Sequence, residues 1–246
     1  MNEEFAKMKE DLRGIICDVI KNKANQESLL ARLCDSTPYQ TAPGRINDIT
    51  GSCRGETTYQ RCFLNSKGVF TLLPQKYEVK FLDGELPVVF GESSRRNSID
   101  LVGTIDKNPF ICELKYVNPD KSSKSNSPKF ALLEIAAYYY QILQNQKSIL
   151  QYKIKHANKE LPLSFWKDIC DSANLLVLGN KKYWARWEHG AGVIDMQFLT
   201  RIRDCFYDKS VKIYLCEAAE YKPEMVNGNR YYGVLEHQNI FVKSFK

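Results

Sequence analysis

Between Ser98 and Tyr116 the chain carries two apolar, β-branched runs separated by Asp106-Lys107-Asn108-Pro109. Runs of this kind on either side of a turn-forming tetrapeptide specify a β-hairpin. Alternate side chains of a strand share a face. Ile111, Glu113 and Lys115 therefore point one way, and Phe110, Cys112, Leu114 and Tyr116 the other. With residue 105 paired to 110, Asp100 falls opposite Lys115 and Val102 opposite Glu113. Asp100 and Glu113 become diagonal neighbours, about 7–8 Å apart at the backbone. A slip of one residue would send Asp100 to the other face and remove it from Glu113.

Two carboxylates at that separation can converge on one cation. Hard divalent ions such as Mg²⁺ or Mn²⁺ take oxygen ligands and keep several waters. Such an ion polarises a phosphate oxygen and lowers the pKa of a bound water. Lys115 can orient or deprotonate that water, or neutralise the charge of the pentavalent phosphorus. The carbonyl of Leu114 offers a further ligand. The competing reading is ordinary: Glu-x-Lys on an exposed strand is usually a solvated face. Three features argue against it here. Glu113 and Lys115 sit among Phe110, Ile111, Cys112, Leu114 and Tyr116. The partner strand carries the lone acid Asp100 inside an equally apolar run. Suitable elements flank the hairpin on both sides.

These residues resemble the motif of the PD-(D/E)XK nuclease superfamily. Asp100 matches the first acid, in an Ile-Asp context where the family has Pro-Asp, and Glu113 and Lys115 match (D/E)-x-K. The resemblance covers roughly residues 51–180. It implies a restriction-endonuclease-like α/β fold, a mixed central sheet flanked by helices, and metal-dependent hydrolysis of phosphodiester bonds. It also implies Mg²⁺ or Mn²⁺ held by Asp100 and Glu113, with nucleic acid as partner and DNA preferred to RNA. Family members often place an acid on the first helix. Glu56, in a predicted helix at about 54–66, is the candidate, although an acid there also suits the helix dipole. A later helix, Pro128 to Gln144, puts Glu134, Tyr138 and Gln141 on one face. It is similar to the Gln-x-x-x-Tyr helix of RecB-like nucleases, with Glu134 in place of Gln. Tyrosines at helical spacing are equally the mark of a core.

Along the chain, residues 3–34 read as helical, from Phe5, Met8, Leu12, Ile15, Val19 and then Leu29, Leu30 and Leu33. Residues 35–52 read as a loop. Residues 1–50 are thus expected as a helical addition that could pack on the core or mediate a homodimer. Residues 51–246 are expected to form the α/β domain: helix 54–66, strand 69–81, a loop or hairpin turning through Asp83-Gly84, strand 86–90, the hairpin, helix 128–150, a helix or insertion at 160–172 and strand 174–179. A helix at 193–207 and closing strands at 211–217 and 231–245 follow.

Several basic residues are candidates to track phosphates. Arg95 and Arg96 precede Asp100. Lys121, Lys124 and Lys129 lie in a polar loop after the Glu-x-Lys strand. Lys181 and Lys182 open the segment Lys181–Trp187, which interleaves cations with aromatics and would otherwise be a strand with Tyr183, Ala185 and Trp187 inward. A formal net charge of +6 suits a phosphate-bearing partner without requiring one. The eight cysteines form no CxxC pair, and the three histidines are far apart. With no leader-like segment, this pattern favours a reducing cytoplasm over a disulfide framework or zinc site. No apolar run approaches the length of about 20 residues that spans a bilayer. The rival function is a nuclease-like module that binds nucleic acid or a partner protein without cutting. A small-molecule enzyme finds no support, for the chain has no Gly-rich phosphate loop, nucleophile motif or dinucleotide fingerprint.

Overall fold

A computed structural model describes residues 55–66, 68–87, 98–118, 125–144, 146–147, 150, 161–189, 194–204, 206, 209–226 and 230–243. The expected N-terminal helices and loop, and Arg95, Arg96, Lys121 and Lys124, lie outside the described residues, as does the side chain of Gln141.

Helix α1 spans Glu56–Asn65 and buries Tyr59, Cys62 and Phe63, a stripe with the i, i+3, i+4 spacing of one helical face. The stretch expected as one strand is a hairpin, β1 (Phe70–Leu73) and β2 (Tyr77–Pro87). It turns at Pro74, which has no N–H for a ladder, and at Lys76, with φ of 62°. The expected turn at Asp83-Gly84 is instead a bulge inside the long strand β2, where the register shifts between Phe81 and Asp83. Gly84 serves close approach there: a Cβ would stand 2.6 Å from the carbonyl oxygen of Asp100.

Strands β3 (Ser98–Ile105) and β4 (Asn108–Lys115) form the expected hairpin in a different register. Ile105 pairs with Asn108 and Leu101 with Cys112. The turn is Asp106-Lys107 alone, with φ of 46° and 70°, as a two-residue hairpin turn of type I′ requires. Asp106 is anchored to the neighbouring hairpin, its N–H donating to Glu78 O and its Oδ1 accepting from Glu78 N, both at 2.8 Å. The shift is two residues, so each side chain keeps its expected face.

Helices α2 (Pro128–Gln144) and α3 (Leu163–Asp171) then lead to β5 (Ser172–Asn180), which lies parallel to β4. Ser127 starts α2, its Oγ accepting from Phe130 N at 3.3 Å. Helices α4 (Lys181–Arg186) and α5 (Met196–Asp204) precede β6 (Ser210–Ala218), parallel to β5. The segment from Lys181 is thus a helix, and it buries Tyr183 and Trp184 while Ala185 is exposed. β7 (Tyr221–Val226) and β8 (Arg230–Leu235) pair with each other in a separate two-stranded sheet. β9 (Asn239–Val242) runs antiparallel to β6 and parallel to β1. The expected strand 231–245 is therefore two strands in two sheets.

The fold is mixed α/β, but the main sheet closes into a seven-strand barrel in the order β1-β2-β3-β4-β5-β6-β9. One of its faces brings Phe70, Val79, Leu101, Phe110, Cys112 and Leu176 together with Tyr59 and Phe63 of α1. The other, with Val102, Ile111, Leu175 and Val177, is covered by Leu132, Ile135 and Tyr139 of α2, Trp166 of α3 and Phe198 of α5. Among the described residues no helix is long and apolar enough to cross a membrane.

Candidate active site

The parity of the hairpin decides where the charges go. Ile111 belongs to the core under α2, whereas Phe110, Cys112, Leu114 and Tyr116 belong to the core around α1. Glu113 and Lys115 share the face of Ile111, at the C-terminal ends of the parallel strands β4 and β5. Ligands of parallel sheets collect beyond such ends. Both charged side chains are nearly enclosed, Glu113 at 4 % and Lys115 at 7 % exposure. Lys115 Nζ lies 2.5 Å from Glu113 Oε1 and 3.8 Å from Glu134 Oε2.

Asp100 arrives from β3. Its Oδ2 accepts the backbone N–H of Leu114 at 2.7 Å, directly beside Glu113. The expected diagonal placement, with Asp100 opposite Lys115, is thus replaced by one nearer to Glu113. The reason is the shorter turn, which moves β4 by two residues. The Leu114 side chain is buried in the opposite core, so only its backbone faces the acids. Glu56 reaches the same end of β4 from α1, and its Oε2 accepts Tyr116 N at 3.0 Å. From α2, Tyr138 donates to Glu134 Oε1 at 3.2 Å. The structure therefore gathers Glu56, Asp100, Glu113, Lys115, Glu134 and Tyr138.

The electrostatics of this cluster are unbalanced. Burial pushes the Asp100 carboxyl up to about 7; the charge of Glu56 adds to the rise, and Lys115 and the Leu114 N–H oppose it. Glu113 is pushed well up by burial and by Asp100, against Lys115. Burial also raises Glu56, again against Lys115. For Lys115, burial works to lower the pKa, but Glu113, Glu56 and Glu134 outweigh it and hold the ammonium above its usual value. Four acids thus surround one ammonium in a low-dielectric place. Burying an ionised carboxylate costs several kcal/mol unless it is compensated. The hydrogen-bonding supply is short as well: among the described residues, Glu113 Oε2 and Glu134 Oε2 are buried without a hydrogen-bond partner. Carboxylate oxygens left open among excess negative charge suit a hard cation by donor type. Among the described residues, however, no group of three or more His, Cys, Asp or Glu is arranged to hold a metal ion.

The basic candidates are less concentrated. Lys181 and Lys182 are exposed on α4. Lys129 is engaged within the chain, 3.6 Å from Asp195 Oδ2 and above the Phe198 ring.

Two supporting residues were not anticipated. Gln60 Nε2 donates to the Asp100 carbonyl at 2.5 Å, tying α1 to β3 behind the acid. Asn180, fully buried, accepts from Val117 N and Tyr183 N at 3.1 Å each. It donates to Val117 O at 2.8 Å and to Glu220 Oε1 at 2.9 Å. It locks the segment after β4 to the start of α4. Its signal in the sequence is an asparagine that closes an apolar run directly before the segment from Lys181, the place of an N-cap.

No protein family, curated protein or solved structure matches this chain.

Proposed function

We propose that the chain is a metal-dependent nuclease that hydrolyses phosphodiester bonds, with DNA as substrate in preference to RNA. The observation that carries this reading is the gathering of Glu56, Asp100, Glu113 and Glu134 around Lys115 at the ends of parallel strands, with acid oxygens left open. Acids this crowded and buried resist full ionisation unless a cation compensates them, and a bound divalent ion would be such a cation. The order α1, β1–β4, α2, α3 and parallel β5 supports the reading, since it contains, with α3 added, the helix–strands–helix–strand skeleton expected of a restriction-endonuclease-like fold.

In this reading Asp100 and Glu113 hold Mg²⁺ or Mn²⁺, and Glu56 completes the acid set. A bound divalent ion would make water more acidic and polarise a phosphate oxygen. Lys115 is held as an ammonium, so it donates to the phosphate and offsets charge; it does not remove a proton from water. Glu134, itself hydrogen-bonded by Tyr138, restrains Lys115 from the α2 side. Lys181 and Lys182 supply positive charge along the approach of the nucleic acid.

The test is cleavage of plasmid, single-stranded DNA and RNA with Mg²⁺, Mn²⁺ or EDTA, read on a gel. We expect metal-dependent DNA cleavage, lost in Glu113→Ala. Undiminished cleavage by Glu113→Ala would refute the assignment. A second reading, a nuclease-like module that binds without cutting, draws on the ion pair that already occupies Glu113 Oε1. It predicts no calorimetric Mg²⁺ or Mn²⁺ binding at millimolar concentration.

A further inference from the structure

The β4–β5 ladder sets an aromatic ring beside Lys115. Lys115 is level with Gly179, as Glu113 is with Val177. Level residues of paired strands point to the same side of the sheet, and Val177 lies in the core under α2. Position 179 therefore faces the side that carries Lys115. Gly179 has no side chain to put there, and a Cβ would collide with Tyr183 Cδ1 and stand 3.0 Å from Trp184 Nε1. The Tyr183 ring thus fills the place of the missing side chain, over a Gly179 backbone that lies one strand spacing, about 4.8 Å, from that of Lys115.

That ring is held in place. Its backbone N–H is capped by Asn180 Oδ1, and its neighbour Trp184 donates to Cys216 O at 2.8 Å. Tyr183 is fully buried, yet among the described residues its hydroxyl has no hydrogen-bond partner. Buried hydroxyls are almost always paired, so an orphan beside a cluster of open carboxylate oxygens calls for an explanation. Burial keeps the phenol protonated; Lys115 opposes this, and Glu113, Glu56 and Glu134 reinforce it. The group is therefore a neutral donor and not a nucleophile.

We propose that Tyr183 is a substrate-contacting residue whose hydroxyl donates a hydrogen bond to a non-bridging oxygen of the phosphodiester seated over Lys115. The inference rests on the phosphodiesterase reading above. It adds a donor from the β5–α4 junction, opposite the acids supplied by α1 and β3. The oxygen it meets carries negative charge, and hydrogen bonds to charged groups are the stronger kind. Removing the hydroxyl breaks no hydrogen bond among the described residues.

Tyr183→Phe tests this with three measurements. Cleavage of supercoiled plasmid with Mn²⁺ should fall about 10–100-fold, the usual loss for one donor to a charged oxygen. The melting temperature should stay unchanged or rise. Affinity for a short fluorescent DNA duplex in Ca²⁺, read by anisotropy, should drop about tenfold. Wild-type cleavage rates would overturn the proposal. So would a lowered melting temperature, which would give the hydroxyl a structural partner. If the wild-type chain does not cleave, the nuclease reading fails, and duplex binding decides the role of Tyr183. Weaker binding by Tyr183→Phe then supports a phosphate contact, and equal binding overturns it. No binding by the wild-type chain overturns both.

Discussion

The carboxylate of Asp100 takes the backbone N–H of Leu114 at 2.7 Å, a bond from the side chain of one hairpin strand to the main chain of the other. Asp100 is thereby fixed beside Glu113, whose carboxyl is pushed up by burial and by the Asp100 charge. The contact lets two acids sit close without either being mobile, and it leaves the second oxygen of Asp100 for other use.

The burial of Asp100, with the charge of Glu56 beside it, has a measurable sign. Because the Asp100 pKa is raised in the folded chain, to about 7, folding favours the protonated acid. Its contribution to stability is present at low pH and is lost as pH rises from the unfolded value, about 3.9, through about 7. Asp100→Asn keeps the acceptor for Leu114 and removes the charge. In EDTA at pH 8 it should be more stable than wild type by about 2 kcal/mol, or about 4–8 °C in Tm. The gain should shrink as pH is lowered to 5. A destabilised variant at pH 8 would contradict the burial of that charge.

Divalent ions should do by binding what Asp100→Asn does by substitution. Mg²⁺ or Mn²⁺ at a hundredfold excess over Kd should stabilise wild type by about 2.7 kcal/mol. The shift should be larger at pH 8 than at pH 6, since the ion competes with protons at Asp100 and Glu113. It should vanish in Glu113→Gln. A metal shift in thermal melts that survives Glu113→Gln would place the ion elsewhere.

Asn180→Ala deletes four hydrogen bonds inside a fully buried junction and strands Val117 N, Val117 O and Tyr183 N. Buried groups left unpaired cost about 1–3 kcal/mol each. We expect a loss of at least about 3 kcal/mol in urea denaturation. A loss under about 1 kcal/mol would mean that α4 does not depend on this cap.

Gly179→Ala drives a methyl group into the Tyr183 ring. Overpacking of this kind costs about 1–3 kcal/mol. The ring must shift, so activity should fall as in Tyr183→Phe, but here together with Tm. Full activity and unchanged Tm would show that the ring does not lie over Gly179.

The acids were legible because parity survives error. The sequence suggested a four-residue turn; Asp106 and Lys107 instead accept positive φ, and Asn108 and Pro109 join the strand. That error is two residues, an even number, so Glu113, Lys115 and Asp100 stay on the predicted face. Closure of the barrel was not legible. β9 has four residues, of which only Ile240 is buried, and its two partners are remote in the chain. Nothing in Asn239–Val242 distinguishes a closing strand from a strand end. The place of Tyr183 was hidden too, since it depends on a glycine in β5 lying level with Lys115 in β4.

Closure by β9 also sets an order of assembly. The acids, Lys115 and Tyr183 all lie before residue 184, and the strand that joins β1 to β6 begins only at Asn239. A chain still emerging from the ribosome holds these residues before the hydrogen-bonding margins of β1 and β6 are sealed. Two raw flanks wait, on β1 and on β6, until one tetrapeptide arrives to satisfy both.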